Sequence, residues 1–208
     1  MPTNLKNTRN DFLGVDLGIA KIATTSDGKF YSGTKVKNIR RRYFRLRQRL
    51  QAKGTKSAKR KLKQRRQKES RFVADVNHCI SKRLVEVAKG TQRAIVLEDL
   101  KGIRERARKG TRKTVCKTMR QVLSSWSFYQ LRQFIEYKAR AAGILVIYVD
   151  PRNTSRTCSK CGNVDKKNRR DQKHFVCNAC GHALNADINA ALNIARRGVD
   201  VIQPNAVA

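Results

Sequence analysis

Residues 158–193 read CSKCGNVDKKNRRDQKHFVCNACGHALNADINAALN, framed by two Cys-x2-Cys pairs. Fifteen residues separate Cys158/Cys161 from Cys177/Cys180, a spacing typical of a four-cysteine zinc site. Two thiolates on one tight knuckle cover one side of a tetrahedron, and the second knuckle closes it. No coordination position stays open, so the expected ion is one structural Zn²⁺ rather than a catalytic one. Gly162 and Gly181 directly follow the pairs, where a knuckle needs a positive φ. A redox Cys-x2-Cys is the competing reading, and two glycine-flanked pairs fit it poorly. His174 and His182 are surplus once four thiolates are in place. Asp187 follows Cys180 by seven residues, at the mouth of a short apolar-striped helix. Folding of the zinc module is therefore expected to fix where this carboxylate lands. Asn185 suits the cap of that helix at least as well as Asp187 does.

Upstream, ILVIYV at 144–149 reads as a fully buried strand closed by Asp150-Pro151. Before it, Phe128, Leu131, Ile135 and Ala142 share one helical face, with Trp126 as a core anchor and Gly143 as the stop. AIVL at 94–97 is a short strand ending at Glu98-Asp99. FLGVDL at 12–17 is a buried strand whose single charge is Asp16. KIATT at 21–25 is a second strand, and after a tight turn at 26–29 a third begins at Phe30. The first three suit antiparallel pairing; the later two need crossover helices and suit parallel pairing. The predicted architecture is α/β, a mixed five-stranded sheet flanked by helices. Gly14 and Gly18 fit either close approach of a substrate backbone or simple strand irregularity.

The charge points to a polyanion. The 208 residues carry 48 Lys and Arg against 15 Asp and Glu, a net +33, which favours nucleic acid as partner. Residues 35–68 hold seventeen Lys or Arg and no acid. Ile39, Tyr43, Leu46 and Leu50 recur there at helical spacing. Residues 54–56 read as a turn, Ser57 as the cap of a second helix running to Lys89, and Gly90 as its stop. Phe72, Val76, Ile80, Leu84 and Val87 form that helix's apolar stripe. The result is a helical hairpin with a wet, basic tip and a base packed on the sheet. Arg40, Arg41, Arg42, Arg45, Arg49, Lys59, Arg60, Lys63 and Arg66 are its candidate phosphate contacts. The basic run 101–120 reads as a mobile, lid-like loop. No apolar stretch is long enough to span a membrane, and the polar start MPTNLKNTRN carries no secretory signal, so a cytoplasmic, nucleoid-associated protein is expected. Cys79 and Cys116 are read as plain thiols.

The acids gain meaning together. Asp16 is a charge inside an apolar strand, costly unless paired or metal-bound. If the strands ending at Asp16 and Glu98 are neighbours, both carboxylates open into one crevice with Asp187. Three carboxylates close together resist ionisation. A pair of divalent cations resolves that repulsion and makes a phosphoryl-transfer site, with oxygen ligands favouring Mg²⁺ or Mn²⁺.

GVDLGIAKIATTSDG, IVLEDLKGI, the run from TSRTCSKCG to CNACG, and NADINAALNIARRG resemble the RuvC-like nuclease core and zinc ribbon of the transposon-encoded TnpB (OrfB) family, relatives of the type V CRISPR nucleases. The resemblance runs from about Phe12 to Gly198. It implies an RNase H-like fold, a catalytic triad of Asp16, Glu98 and Asp187 holding two Mg²⁺, cleavage of DNA, and guidance by RNA from the transposon end. Members of the family normally begin with a longer half that grips the guide and reads the target. Here the first strand begins almost at Met1, so a minimal form, a fragment, or a subunit needing a second copy or separate partner chain is expected. The domain plan is 1–34 for the first core strands, 35–90 for the basic hairpin and 91–157 for the rest of the core with a lid-like loop at 101–125. The zinc ribbon follows at 158–182, the final core helix at 183–198 and a tail at 199–208. The leading expectation is a Mg²⁺-dependent DNA endonuclease of a transposable element. The alternatives are a non-cleaving nucleic-acid-binding remnant or regulator, and a zinc-stapled ribonucleoprotein component.

Overall fold

A computed structural model describes residues 11–100 and 126–202. The basic loop expected over 101–125, with Cys116, lies outside the described residues, as does the end of the chain past residue 202.

Five strands form one sheet: β1 (Phe12–Asp16), β2 (Lys21–Thr25), β3 (Phe30–Ser32), β4 (Ala94–Glu98) and β5 (Val146–Val149). Their order is β3-β2-β1-β4-β5, with β1, β2 and β3 antiparallel and β1, β4 and β5 parallel. This is the mixed sheet that the sequence pattern implies. Helices α1 (Thr34–Lys53) and α2 (Lys56–Gly90) make the basic hairpin; α3 (Phe128–Ala141) precedes β5, and α4 (Ala186–Ile202) closes the fold. Between β5 and α4, strands β6 (His174–Val176) and β7 (Ala183–Asn185) form a two-stranded hairpin in the ribbon.

Strand alternation divides the core. Leu13, Val15, Ile95 and Leu97 face the α2 and α3 side, packing with Leu84, Ala88, Leu131 and Ile135. Phe12, Ala94 and Val96 face the other way, onto Ile194 and Ala195 of α4. By the same alternation Gly14, Asp16 and Glu98 lie on the α4 face. Gly14 is glycine because of the helix: a Cβ there would sit 2.1 Å from the Ala191 carbonyl oxygen. Gly198 answers from the helix side, where a Cβ would come within 2.6 Å of Val96. Two small residues thus let α4 lie directly on β1 and β4. The space at Gly14 belongs to α4, not to an approaching substrate. At Gly18 a Cβ would meet the Lys21 carbonyl oxygen at 2.7 Å, so that glycine serves the turn between β1 and β2.

Several local expectations shift. Thr55, not Ser57, caps α2, its hydroxyl accepting from the Ala58 amide at 3.2 Å. The helix runs one residue past Lys89 through Gly90, and its end is held by Thr91, whose hydroxyl donates to the Val87 carbonyl at 2.7 Å. The deepest stripe of α2 is Val73, Asn77, Ile80, Leu84 and Ala88, with Phe72, Val76 and Val87 only part-buried beside it. Strand β5 is not buried throughout: it is an edge strand with alternate burial, and Leu145 before it is 45% exposed. On α3, Ala139 takes the buried place expected for Ala142, which is part-buried past the helix end. Gly143 follows with φ 70°, the left-handed stop expected of it. Helix α4 continues past Gly198 to Ile202. Among the described residues no helix is long and apolar enough to cross a membrane.

Candidate active site

Two parallel strands end side by side. The β1–β4 register pairs Val15 with Leu97, so Asp16 and Glu98 are the next residues on each strand, at the carboxyl end of the sheet and on its α4 face. Asp187 lies in the first turn of α4, which packs on the same face. Asn185 accepts from the Asp187 amide at 3.1 Å, so it caps the helix and leaves the aspartate carboxylate free for other partners.

Asp16 feels the other two acids. Burial, then the charges of Glu98 and Asp187, push the Asp16 carboxyl up to about 7, against the pull of Arg169 and Lys21. Burial also raises Glu98, countered by a hydrogen bond from the Thr154 hydroxyl at 2.5 Å. The carboxylates nevertheless stay apart. Among the described residues, the four cysteines are the one group of metal-ligating side chains whose donor atoms all lie within 4.8 Å. Asp187 is occupied by protein cations: the Lys21 ammonium is 3.1 Å from Oδ2, and the Arg169 guanidinium is 3.7 Å from Oδ1. Lys21 also donates to Asn185 Oδ1 at 3.4 Å and lies 3.6 Å over the Phe30 ring. Lys21 did not stand out in the sequence, where it is one cation among 48, and Arg169 belongs to the basic loop 166–173 between the cysteine pairs, which reads as a nucleic-acid contact rather than a partner of Asp187.

The ribbon is stitched to α4 by two asparagines one turn apart. The Ser159 amide donates to Asn189 Oδ1 at 3.0 Å, and Asn189 Nδ2 donates to the Thr157 carbonyl at 2.8 Å. Asn193 Nδ2 donates to the carbonyls of Thr154 at 2.8 Å and Thr157 at 2.6 Å. The same Thr154 hydroxyl serves Glu98. The four-residue spacing of Asn185, Asn189 and Asn193 was the signal available in the sequence. Asn168, fully buried, ties the two knuckles: Nδ2 donates to the Arg156 carbonyl and Oδ1 accepts from the Asn178 amide at 2.9 Å.

Cys158 and Cys180 sulfurs are 3.7 Å apart, and those of Cys161 and Cys177 are 3.6 Å apart. A tetrahedral ion with bonds of about 2.3 Å needs sulfurs about 3.8 Å apart, so the cluster fits one. Gly162 and Gly181 have φ of 78° and 68°, as the knuckles require. The backbone amide of Cys180 holds the Cys177 thiol down to about 7, favouring the thiolate. Phe175 and Ala186 pack beneath Cys158 and Cys177. His174 is exposed and engaged with Asp171, away from ligand duty.

Arg41, Arg42, Arg45, Arg49, Lys59, Arg60, Lys63 and Arg66 are exposed along the hairpin. Arg40 is half-buried beside Arg41 and Arg45 on a cavity of about 660 Å³ floored by Ile22, Val73 and Leu131. One acid just past the basic run is used locally, with Glu69 pairing to Arg47 at 2.5 Å.

Sequence comparison agrees with this architecture. Residues 2–103 match the family described as probable transposase (OrfB, IS605 type), and residues 128–194 match the Cas12f1-like TNB domain. The chain belongs to the TnpB/OrfB family. It is 37% identical to the CRISPR-associated endodeoxyribonuclease Cas12f1 of Sulfoacidibacillus thermotolerans, across 93% of this chain and 47% of that protein. It is 35% identical to the TnpB-like protein MJ0751 of Methanocaldococcus jannaschii, across 80% of this chain and 59% of that one. The chain thus spans about half the length of the curated relatives it matches. Its fold is shared with Cas12f1 in a cryo-EM complex with sgRNA and target DNA, at a TM-score of 0.68 and 22% identity, over 89% of this chain and 50% of that one.

Proposed function

We propose that the chain is the catalytic half of a DNA endonuclease of a transposable element, cutting phosphodiester bonds with divalent metal held by Asp16, Glu98 and Asp187. The observation that carries this reading is the convergence of three acids from β1, β4 and α4 on one end of the sheet, near enough that the charges of Glu98 and Asp187 act on Asp16. The donor set is all carboxylate oxygen, which suits Mg²⁺ or Mn²⁺. Two such ions, when bound, would activate water and stabilise the leaving oxygen of an in-line displacement. Asp16 and Glu98 would supply ligands from the rigid strand ends and Asp187 from the helix. Thr154 would hold Glu98 in orientation through its hydroxyl. The four cysteines would hold one structural Zn²⁺ that keeps the loop at 154–159 in place.

The exposed hairpin cations supply sequence-independent phosphate contacts. Guidance by RNA is proposed by kinship. A plasmid-cleavage assay with and without Mg²⁺, alongside sequencing of any RNA that copurifies, tests the proposal. Cleavage should require metal and disappear in Asp16→Ala and in Asp187→Ala while zinc content is unchanged. Cutting that survives both substitutions would remove the triad from the mechanism. Salt-sensitive DNA binding with no cutting in either metal would instead identify a non-cleaving binder.

A further inference from the structure

Asp187 has no carboxylate oxygen clear of a protein cation: Lys21 stands at Oδ2 and Arg169 near Oδ1. We propose that Lys21 is a positioning residue that competes with divalent metal for Asp187, and so sets the metal concentration at which the carboxylate site fills. This rests on the nuclease reading above.

Three features support it. The Lys21–Asp187 contact is the shorter of the two, 3.1 Å against 3.7 Å, so it is the one a metal ion must chiefly displace. The ammonium is held from two further directions, by Asn185 Oδ1 and the Phe30 ring, and these give it a resting place once Asp187 turns to a metal. The unbranched lysine stem allows that exchange without moving the backbone, whereas Asp16 and Glu98 are fixed on strands. A cation already among the acids also explains how the site folds before metal arrives. Lys21 and Arg169 stand against Asp187 and partly balance its charge. The cost is that each protein cation opposes the binding of a like-charged ion nearby.

The test is a Mn²⁺ titration of the zinc-loaded chain at pH 8, with free Mn²⁺ read by electron paramagnetic resonance. Lys21→Met should tighten Mn²⁺ binding by about tenfold, the order expected for removing one like charge near the ion. Lys21→Gln, which keeps a hydrogen-bond donor but no charge, should move the same way, and Lys21→Arg should stay near wild type. Asp16→Asn marks binding at the carboxylate site. If wild type and Asp16→Asn bind Mn²⁺ alike, the carboxylate metal site itself is lost and the nuclease reading falls with it. If Asp16→Asn weakens binding but both neutral Lys21 variants leave it unchanged or weaker, the metal site stands and the competition does not. Zinc content and thermal midpoint identify a variant that has failed to fold, and the other neutral variant then decides.

Discussion

The cysteine cluster and the carboxylate site are joined by one loop and one helix, yet they are assembled in opposite ways. In the ribbon, four sulfurs gather within 4.8 Å of one another. At the sheet end, three acids share a field but keep apart, with Lys21 and Arg169 against one of them. The reason lies in ordinary acidity. A free thiol at its ordinary acidity is mostly protonated at neutral pH, so even with Cys177 drawn toward the thiolate the four can wait side by side at little electrostatic cost. A carboxylate is already charged there and must be spaced or partnered. The first arrangement would give a closed site that holds an ion permanently. The second, on the proposed reading, would give an open one in which metal has to win its place.

The largest effect should come from severing α4 from the sheet. Gly14→Val places a side chain where even a Cβ would collide with the Ala191 carbonyl, so α4 must lift off β1. A loss of about 3 kcal/mol or more in denaturant unfolding is expected. DNA cleavage should vanish with it, because Asp187 leaves with the helix. If the variant folds and cuts normally, the close approach of helix and strand is not what places the third acid.

Next is Cys180→Ser. It removes one sulfur from a closed tetrahedron, so bound zinc measured by atomic emission should drop. The Mg²⁺-dependent cleavage rate should fall at least tenfold while most DNA affinity, carried by the hairpin, remains. A zinc-free protein that cuts like wild type would cut the link between the two sites and make the ribbon an accessory.

A smaller effect sharpens the contrast in acidity. The Asp16 carboxyl is raised to about 7 in the folded, metal-free chain. Its contribution to stability is therefore complete below its unfolded value near 4 and is lost as pH rises through 7. Glu98, raised in the same direction, adds to the trend. The metal-free protein should be less stable at pH 8 than at pH 5.5, by about 2 kcal/mol from Asp16. Asp16→Asn should flatten that slope, and Mg²⁺ should restore wild-type stability at pH 8. Thermal melts at the two pH values, with a chelator and with Mg²⁺, measure all three. An unchanged slope in Asp16→Asn would show that Asp16 ionises without strain.

What could be read in the sequence was what neighbours along the chain decide. Short apolar runs ending in an acid announced β1 and β4, and paired cysteines followed by glycine announced the knuckles. Asn185 was legible as a cap because capping is a contact between near neighbours. The misses are contacts across the fold. Nothing near Lys21 in sequence indicates that its ammonium reaches Asp187, 166 residues away. Thr154 meets Glu98 only because β4 and β5 pair. Gly14 was read from its own strand and so could not disclose the helix above it. The edge position of β5 was equally hidden, since an apolar hexapeptide does not say how many partners it has. The choice of Thr55 over Ser57 was local but close: both hydroxyls suit a cap, and the path of the chain out of Gly54, at φ 65°, put Thr55 in place.

The asparagine pair on α4 has a mechanical consequence. Asn193 grips the backbone at Thr154, and the Thr154 side chain grips Glu98. Helix, loop and strand end are therefore joined by a continuous chain of hydrogen bonds. A one-residue insertion between Asp187 and Asn193 would rotate the asparagine about 100° around the helix and disengage it from the loop. The segment can tolerate changes of sequence at its outward positions but not of length, and a transplanted ribbon would have to carry its asparagines with it.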